Sequence, residues 1–165
     1  MVSSSARTAG DLTDRERYAT QSRVTDPGRF APRVMEIPGT LTAMRTAARQ
    51  LVFHYRDGGD YTANGIEPER VTEIDTRYAE AMLARIFELS DRPLTAKRVP
   101  RERLMGCCRD FTLLFLMIAR AHGVPARARV GFATYFVPGL FIDHVVAEVW
   151  DGPAALAPRR RGTGR

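Results

Sequence analysis

Gly106-Cys107-Cys108-Arg109-Asp110-Phe111-Thr112-Leu113-Leu114-Phe115-Leu116-Met117-Ile118-Ala119-Arg120-Ala121-His122-Gly123-Val124-Pro125 is the stretch from which the rest of the chain can be read. A polar lead-in gives way to an apolar run, Phe111 to Ile118. The run closes on a Gly with a Pro two positions later, the order in which helices stop. Because the run is apolar almost all round, the helix it forms is a buried one. A central helix over about Cys108 to His122 is therefore predicted, and its burial fixes where its N-terminus points. Cys107 and Cys108 stand at that N-terminus, where unpaired N–H groups and the positive end of the helix dipole stabilise a thiolate.

On the C-terminal side the period changes from helical to alternating. Ala126, Ala128, Val130 and Phe132 share one face, and Arg127, Arg129 and Gly131 the other. Pro138-Gly139 supplies a turn. From His144 a second alternation sets Val145, Ala147 and Val149 against His144, Val146, Glu148 and Trp150. Two antiparallel strands follow from this pattern. Residues 152–165 lose all alternation and are rich in Pro, Ala, Arg and Gly, a composition that predicts a disordered basic tail. The same composition suits an out-of-frame reading of GC-rich DNA, so truncation or a frameshift before further strands is expected.

On the N-terminal side, Leu41, Met44, Ala48, Leu51 and Tyr55 lay one apolar helical stripe after Pro38-Gly39-Thr40, ended by Asp57-Gly58-Gly59. His54 lies beside the stripe and reads as a core-edge histidine. A second amphipathic helix is predicted from Pro68 to Leu89. Its charged side, Glu73, Arg77, Glu80 and Arg85, is expected to face solvent. Residues 1–35 show no apolar periodicity and read as a flexible or irregular leader. The domain proper is then 36–151. Its fold class is α+β, with a buried Cys-bearing helix packed beside two other helices on an antiparallel sheet.

The order of motifs resembles a known family. Gly-x-Cys-Arg-Asp-Phe, an apolar helix, Arg-x-x-Gly-Val-Pro-Ala-Arg, Gly-Phe and Asp-His-x-x-x-Glu-x-Trp is similar to the transglutaminase-like superfamily, over roughly residues 36 to 151. The resemblance implies a papain-like core with a Cys-His-Asp triad. It implies Cys108 as the nucleophile, two residues before Asp110, with Cys107 in the variable position. It implies His144, 36 residues on, as the base. From the residues alone either thiol could face the sheet. The family's third member, an Asp on the next strand, has no counterpart in the sequence. Asp151 lies seven residues along the same strand, roughly 23 Å from His144, and Asp143 points to the opposite face.

Composition bounds the alternatives. The 165 residues suit one domain, and 44% hydrophobic with 27% charged residues reads as globular. No apolar run is long enough to span a membrane and no secretory signal is visible, so a cytoplasmic location is expected. Adjacent cysteines make a strained bridge, so free thiols are expected. The net charge of +6 raises nucleic-acid binding, but four of the 25 basic residues lie in the last seven positions. No specific nucleic-acid partner is expected.

The chemistry that these residues suggest is thiol-dependent acyl transfer on a peptide or amide substrate. Cys108 attacks, His144 shuttles the proton, and water resolves the thioester, as in a cysteine protease or amidase. The Cys108 backbone N–H is the natural first oxyanion donor, and no second donor can be named. Neither metal nor organic cofactor is required, and Cys107, Cys108 and His122 have the wrong spacing for zinc. His122 stands about 20 Å along the helix from Cys108, too far to be its partner. The alternative is a non-catalytic interaction domain of the same fold, which the missing Asp favours. An open sheet edge would give it a route to self-association.

Overall fold

The computed structural model describes residues 13–150. Its helices are α1 (Asp14–Ala19), α2 (Ala31–Met35), α3 (Leu41–Leu51), α4 (Ala79–Leu89) and α5 (Cys108–Ala121). Its strands are β1 (Val52–His54), β2 (Leu104–Gly106), β3 (Ala126–Ala133) and β4 (Ile142–Val149). Single-stretch 3-10 segments cover Gly28–Phe30, Pro68–Asp75 and Pro100–Glu102. The class is α+β.

The central helix forms where the apolar run predicts it. Leu114, Met117, Ile118 and Ala119 of α5 are fully buried, in one core with Met44 and Leu51 of α3 and Met82, Leu83 and Ile86 of α4. Gly123 ends α5 at φ +70°, a conformation that costs a glycine little. Gly123 N–H donates to Arg120 O at 3.0 Å and Val124 N–H to Ala119 O at 2.9 Å, which closes the last turn as a Schellman motif. The chain then enters β3. It pairs antiparallel with β4 in the register Ala126↔Val149 through Ala133↔Ile142. Ala126, Ala147 and Val149 pack on the core. Alternation places Arg127, Arg129, His144 and Glu148 on one face of the pair, where Glu148 is 2% exposed, and Ala128, Val130 and Phe132 on the other, where Val130 and Phe132 are 75% and 74% exposed.

Three segments differ from the sequence expectation. The first stripe does not stay helical to Tyr55. Helix α3 ends at Leu51, and Val52–His54 becomes β1, paired parallel with β2 as Val52↔Leu104, Phe53↔Met105 and His54↔Gly106. β-Branched Val52 and aromatic Phe53 suit that strand, and both are buried.

The helix expected over Pro68–Leu89 is broken. Pro68–Asp75 is 3-10, Thr76 and Tyr78 are extended, and only Ala79–Leu89 is α-helical. Val71, Thr72, Ile74 and Thr76, all β-branched, lower the helix preference of the first half. The tighter winding turns Glu73 inward. Far from lying on a solvated face, its side chain is 8% exposed and accepts from Arg70 Nε and Arg85 Nε, both at 2.8 Å, and from Met105 N–H at 2.9 Å.

The described part of the 1–35 leader carries two short helices joined by non-helical residues 20–27, and it is docked on the domain. Thr13 and Glu16 form a capping box on α1, Gln21 Nε2 donates to Met117 O at 2.8 Å, and Ala79 N–H donates to Val24 O at 2.9 Å. Residues 1–12 and the basic tail lie outside the described residues. A buried arginine, Arg98, is 1% exposed and holds the C-terminal end of α4. It donates to Ser90 O at 3.0 Å and Arg92 O at 2.8 Å.

Candidate active site

The site is built on the first turn of α5. Cys107 is the N-cap and Cys108 the first helical residue. Asp110 is 1% exposed, and its Oδ2 accepts from Cys107 N–H at 2.8 Å. Arg109 Nε donates to Asp110 Oδ1 at 3.0 Å, and its NH2 group donates to Ile74 O at 2.6 Å, which ties the 3-10 segment to the helix start. Asp110 is thus consumed in holding the turn, a carboxylate at the positive end of a helix. Glycine at 106 is required by close approach. A Cβ there would lie 2.8 Å from Asp110 Oδ2 and 3.0 Å from Val52 Cγ1.

The two thiols, both free and both partly buried, differ in environment. Burial pushes the Cys107 thiol up, and the charges of Asp110 and Cys108 push it further. The Arg109 N–H and guanidinium only partly offset this. Cys107 is therefore a poor nucleophile near neutral pH. Cys108 carries no such capping duty. Its backbone N–H, at the first helical position, has no acceptor within the helix.

Helix α5 lies against β4. Thr112 Oγ1 donates to Val145 O at 3.2 Å, one turn from Cys108 and one residue from His144. His144 pairs with Gly131 in the sheet, and its ring meets Phe136 edge-on at 5.0 Å and Tyr135 at 6.3 Å. Among the described residues no hydrogen bond joins Cys108 to His144, and no carboxylate bonds to His144. Asp143 is exposed and on the opposite face of β4. Asp151 lies outside the described residues. Further along the His144 face, Glu148 is 2% exposed and is gripped by Arg127 Nε at 2.9 Å and Arg129 NH1 at 2.6 Å. Burial opposes its ionisation, yet the two arginines outweigh burial and hold the carboxyl below its ordinary value. Arg127 and Arg129 are thus engaged with Glu148.

A second feature of α5, away from the cysteines themselves, is its contact with β1. His54 stacks on Phe111 with ring centroids 6.2 Å apart. Both line a cavity of about 300 Å³ with Arg49, Val52, Arg103 and Asn64. The signal for His54 lay in the strand-forming Val52-Phe53 pair, which a helical reading of the stripe concealed. No group of three or more His, Cys, Asp and Glu side chains that could hold a metal ion occurs among the described residues. No helix among them is long and apolar enough to cross a membrane.

No curated protein and no solved structure matches the chain. The family model of the transglutaminase-like superfamily matches residues 36–157, well over half of the chain. That span contains the capped cysteine turn, the buried helix and both strands of the antiparallel pair. On this match and on its α+β fold, the chain belongs to the transglutaminase-like superfamily.

Proposed function

We propose that the protein is a thiol-dependent acyl-transfer enzyme acting on a peptide or amide, with hydrolysis as the outcome. Cys108 is the nucleophile and His144 the proton shuttle. The observation that carries this reading is the docking of α5 on β4 through Thr112 Oγ1 and Val145 O, one turn from Cys108 and one residue from His144. The thiolate attacks the carbonyl carbon, His144 protonates the leaving amine, and water then resolves the thioester. Cys107, capping the helix and raised by burial, leaves this role to its neighbour.

The test is the alkylation rate of each thiol across pH, read by mass spectrometry of the labelled peptides. Fast reaction of Cys108 well below the free-thiol value of about 8.5, lost in His144→Ala, is the expected result. Slow reaction of both thiols, or indifference to His144, would leave the second reading. That reading is a non-catalytic interaction domain of the same fold. The lack of a carboxylate on His144 among the described residues favours it.

A further inference from the structure

Cys108, Phe111 and Thr112 are spaced i, i+3 and i+4 and share one face of α5, with Cys108 a turn above the other two. Thr112 bonds to Val145 O of β4, and Phe111 stacks on His54 of β1. The parallel register sets His54 opposite Gly106, two residues before Cys108, and Tyr55 N–H donates to Gly106 O at 3.0 Å. Alternation along β1 puts His54 on the same face as Val52, which borders Gly106 and the core. His54 is therefore carried by the strand paired to the residues that lead into the Cys107-Cys108 turn, and His144 by the strand bonded to Thr112.

The His54 ring is held in one protonation pattern by its backbone. Nδ1 accepts from Asp57 N–H at 3.0 Å and from Arg56 N–H at 3.3 Å. Its 3.4 Å approach to Asp57 Oδ2 has no proton to share while Nδ1 is an acceptor. The proton of the neutral ring then sits on Nε2, because the bond that one ring nitrogen makes sets the state of the other. No partner of Nε2 occurs among the described residues. The side chain is 19% exposed and lines the cavity that Phe111 shares. An oriented N–H donor without a partner, on the strand paired to the lead-in of the cysteine turn, is the kind of group that stabilises a developing oxyanion.

We infer that His54 Nε2–H is the second oxyanion donor of the Cys108 site, acting with the Cys108 backbone N–H. This inference rests on the acyl-transfer reading above. The Cys108 sulfur forms a bond to the carbonyl carbon and the C=O π pair moves onto oxygen. The two N–H groups hold that oxygen. When the pair returns, the bond to the leaving group breaks and the thioester remains. His144 handles the proton and His54 the negative charge.

Two reagents separate the roles. Iodoacetamide alkylates the thiolate by displacement and builds no oxyanion, whereas p-nitrophenyl acetate acylates through one. For His54→Ala, acylation of Cys108 is expected to fall by roughly 10²- to 10³-fold while alkylation stays within about twofold. His54→Gln, which keeps an N–H donor, should recover part of the acylation. Nitrogen-15 spectra of the wild-type protein should show His54 with its proton on Nε2. Unchanged acylation in His54→Ala overturns the inference, as does an equal fall in both reactions, which marks a structural role. A wild-type Cys108 that alkylates with His144 dependence but is not acylated overturns it and leaves the dyad standing. A Cys108 inert to both reagents overturns the dyad as well.

Discussion

Glu73 carries more of the architecture than its place in the sequence suggests. Burial alone would push its carboxyl up, but hydrogen bonds from Arg70, the Met105 N–H and Arg85 together outweigh burial and hold it below its ordinary value of 4.5. A carboxyl lowered in the folded state contributes stability that is fully present above its unfolded value. That contribution is lost as pH falls through the folded value. The protein should therefore lose stability on acidification below about pH 4.5, part of it through Glu73. Removing the charge leaves the Arg70 guanidinium, 7% exposed, without a carboxylate partner beside the Arg101 and Arg103 carbonyls. Glu73→Gln is expected to cost about 3 kcal/mol at neutral pH. Urea titrations at pH 7 and pH 3 check both: the variant should be weaker at pH 7 and closer to wild type at pH 3. An equal deficit at the two pH values would show that Glu73 is not the titrating group. Read along the sequence, Glu73 belongs to a charged helical face. Its burial follows from a winding that the same residues adopt only against Met105 and Arg103. Gly106 is the converse case. Its identity was part of a recognisable motif, yet the reason for it, Asp110 folded back over the backbone, exists only in three dimensions.

Among the elements, the join between α5 and β4 decides whether Cys108 and His144 act together. Their one described side-chain hydrogen bond is Thr112 Oγ1 to Val145 O, and Thr112 is 6% exposed. Thr112→Val keeps the shape and removes the donor, leaving a carbonyl without that partner, at a cost of about 1–2 kcal/mol. Thermal unfolding should show a small drop in Tm. The pH profile of Cys108 alkylation should move toward that of His144→Ala, because the turn is no longer registered against the strand. A lower Tm with an unchanged alkylation profile would mean that other contacts hold the register. The elements that carry this join were legible from period alone. The apolar run gave α5 and its Gly123 stop, and the alternation gave β3 and β4 in the right faces. The short parallel pair β1–β2 was not, since three residues are too few for a period to show. The helices of residues 13–35 were hidden for a related reason. They are short, and they are held by caps and backbone bonds to Met117 and Ala79 that local sequence does not display.

At the scale of the whole molecule, the charge that covers the chain stops abruptly at one place. Val130 to Ile142 contains no charged residue in a sequence that is 27% charged. In the structure this is the open end of the β3–β4 hairpin. Phe132 and Phe141 are each 74% exposed, Tyr135 71% and Phe136 46%. Aromatic side chains contribute roughly 150–250 Å² each, so these four leave an apolar area of several hundred Å². That is at the upper end of what a monomer shows, about 300–600 Å². It is also a large share of the roughly 800 Å² that each partner of a stable dimer buries. A second copy is the occupant that the surrounding charges favour. Two chains of net charge +6 repel over most of their surface and can approach closely only where charge is absent. Self-association through this hairpin end, not only through an open edge, is therefore expected. Sedimentation velocity over a concentration series should show a dimer. Phe132→Asp with Phe141→Asp should return it to monomer without changing the circular dichroism spectrum. A wild-type chain that stays monomeric at high micromolar concentration, or a dimer that survives both substitutions, would place the contact elsewhere or leave none. Binding to anionic vesicles abolished by the same pair would give the hairpin to a membrane surface instead. The Tyr135 and Phe136 rings that rest on His144 belong to this patch, so whatever covers it also covers one side of the candidate site.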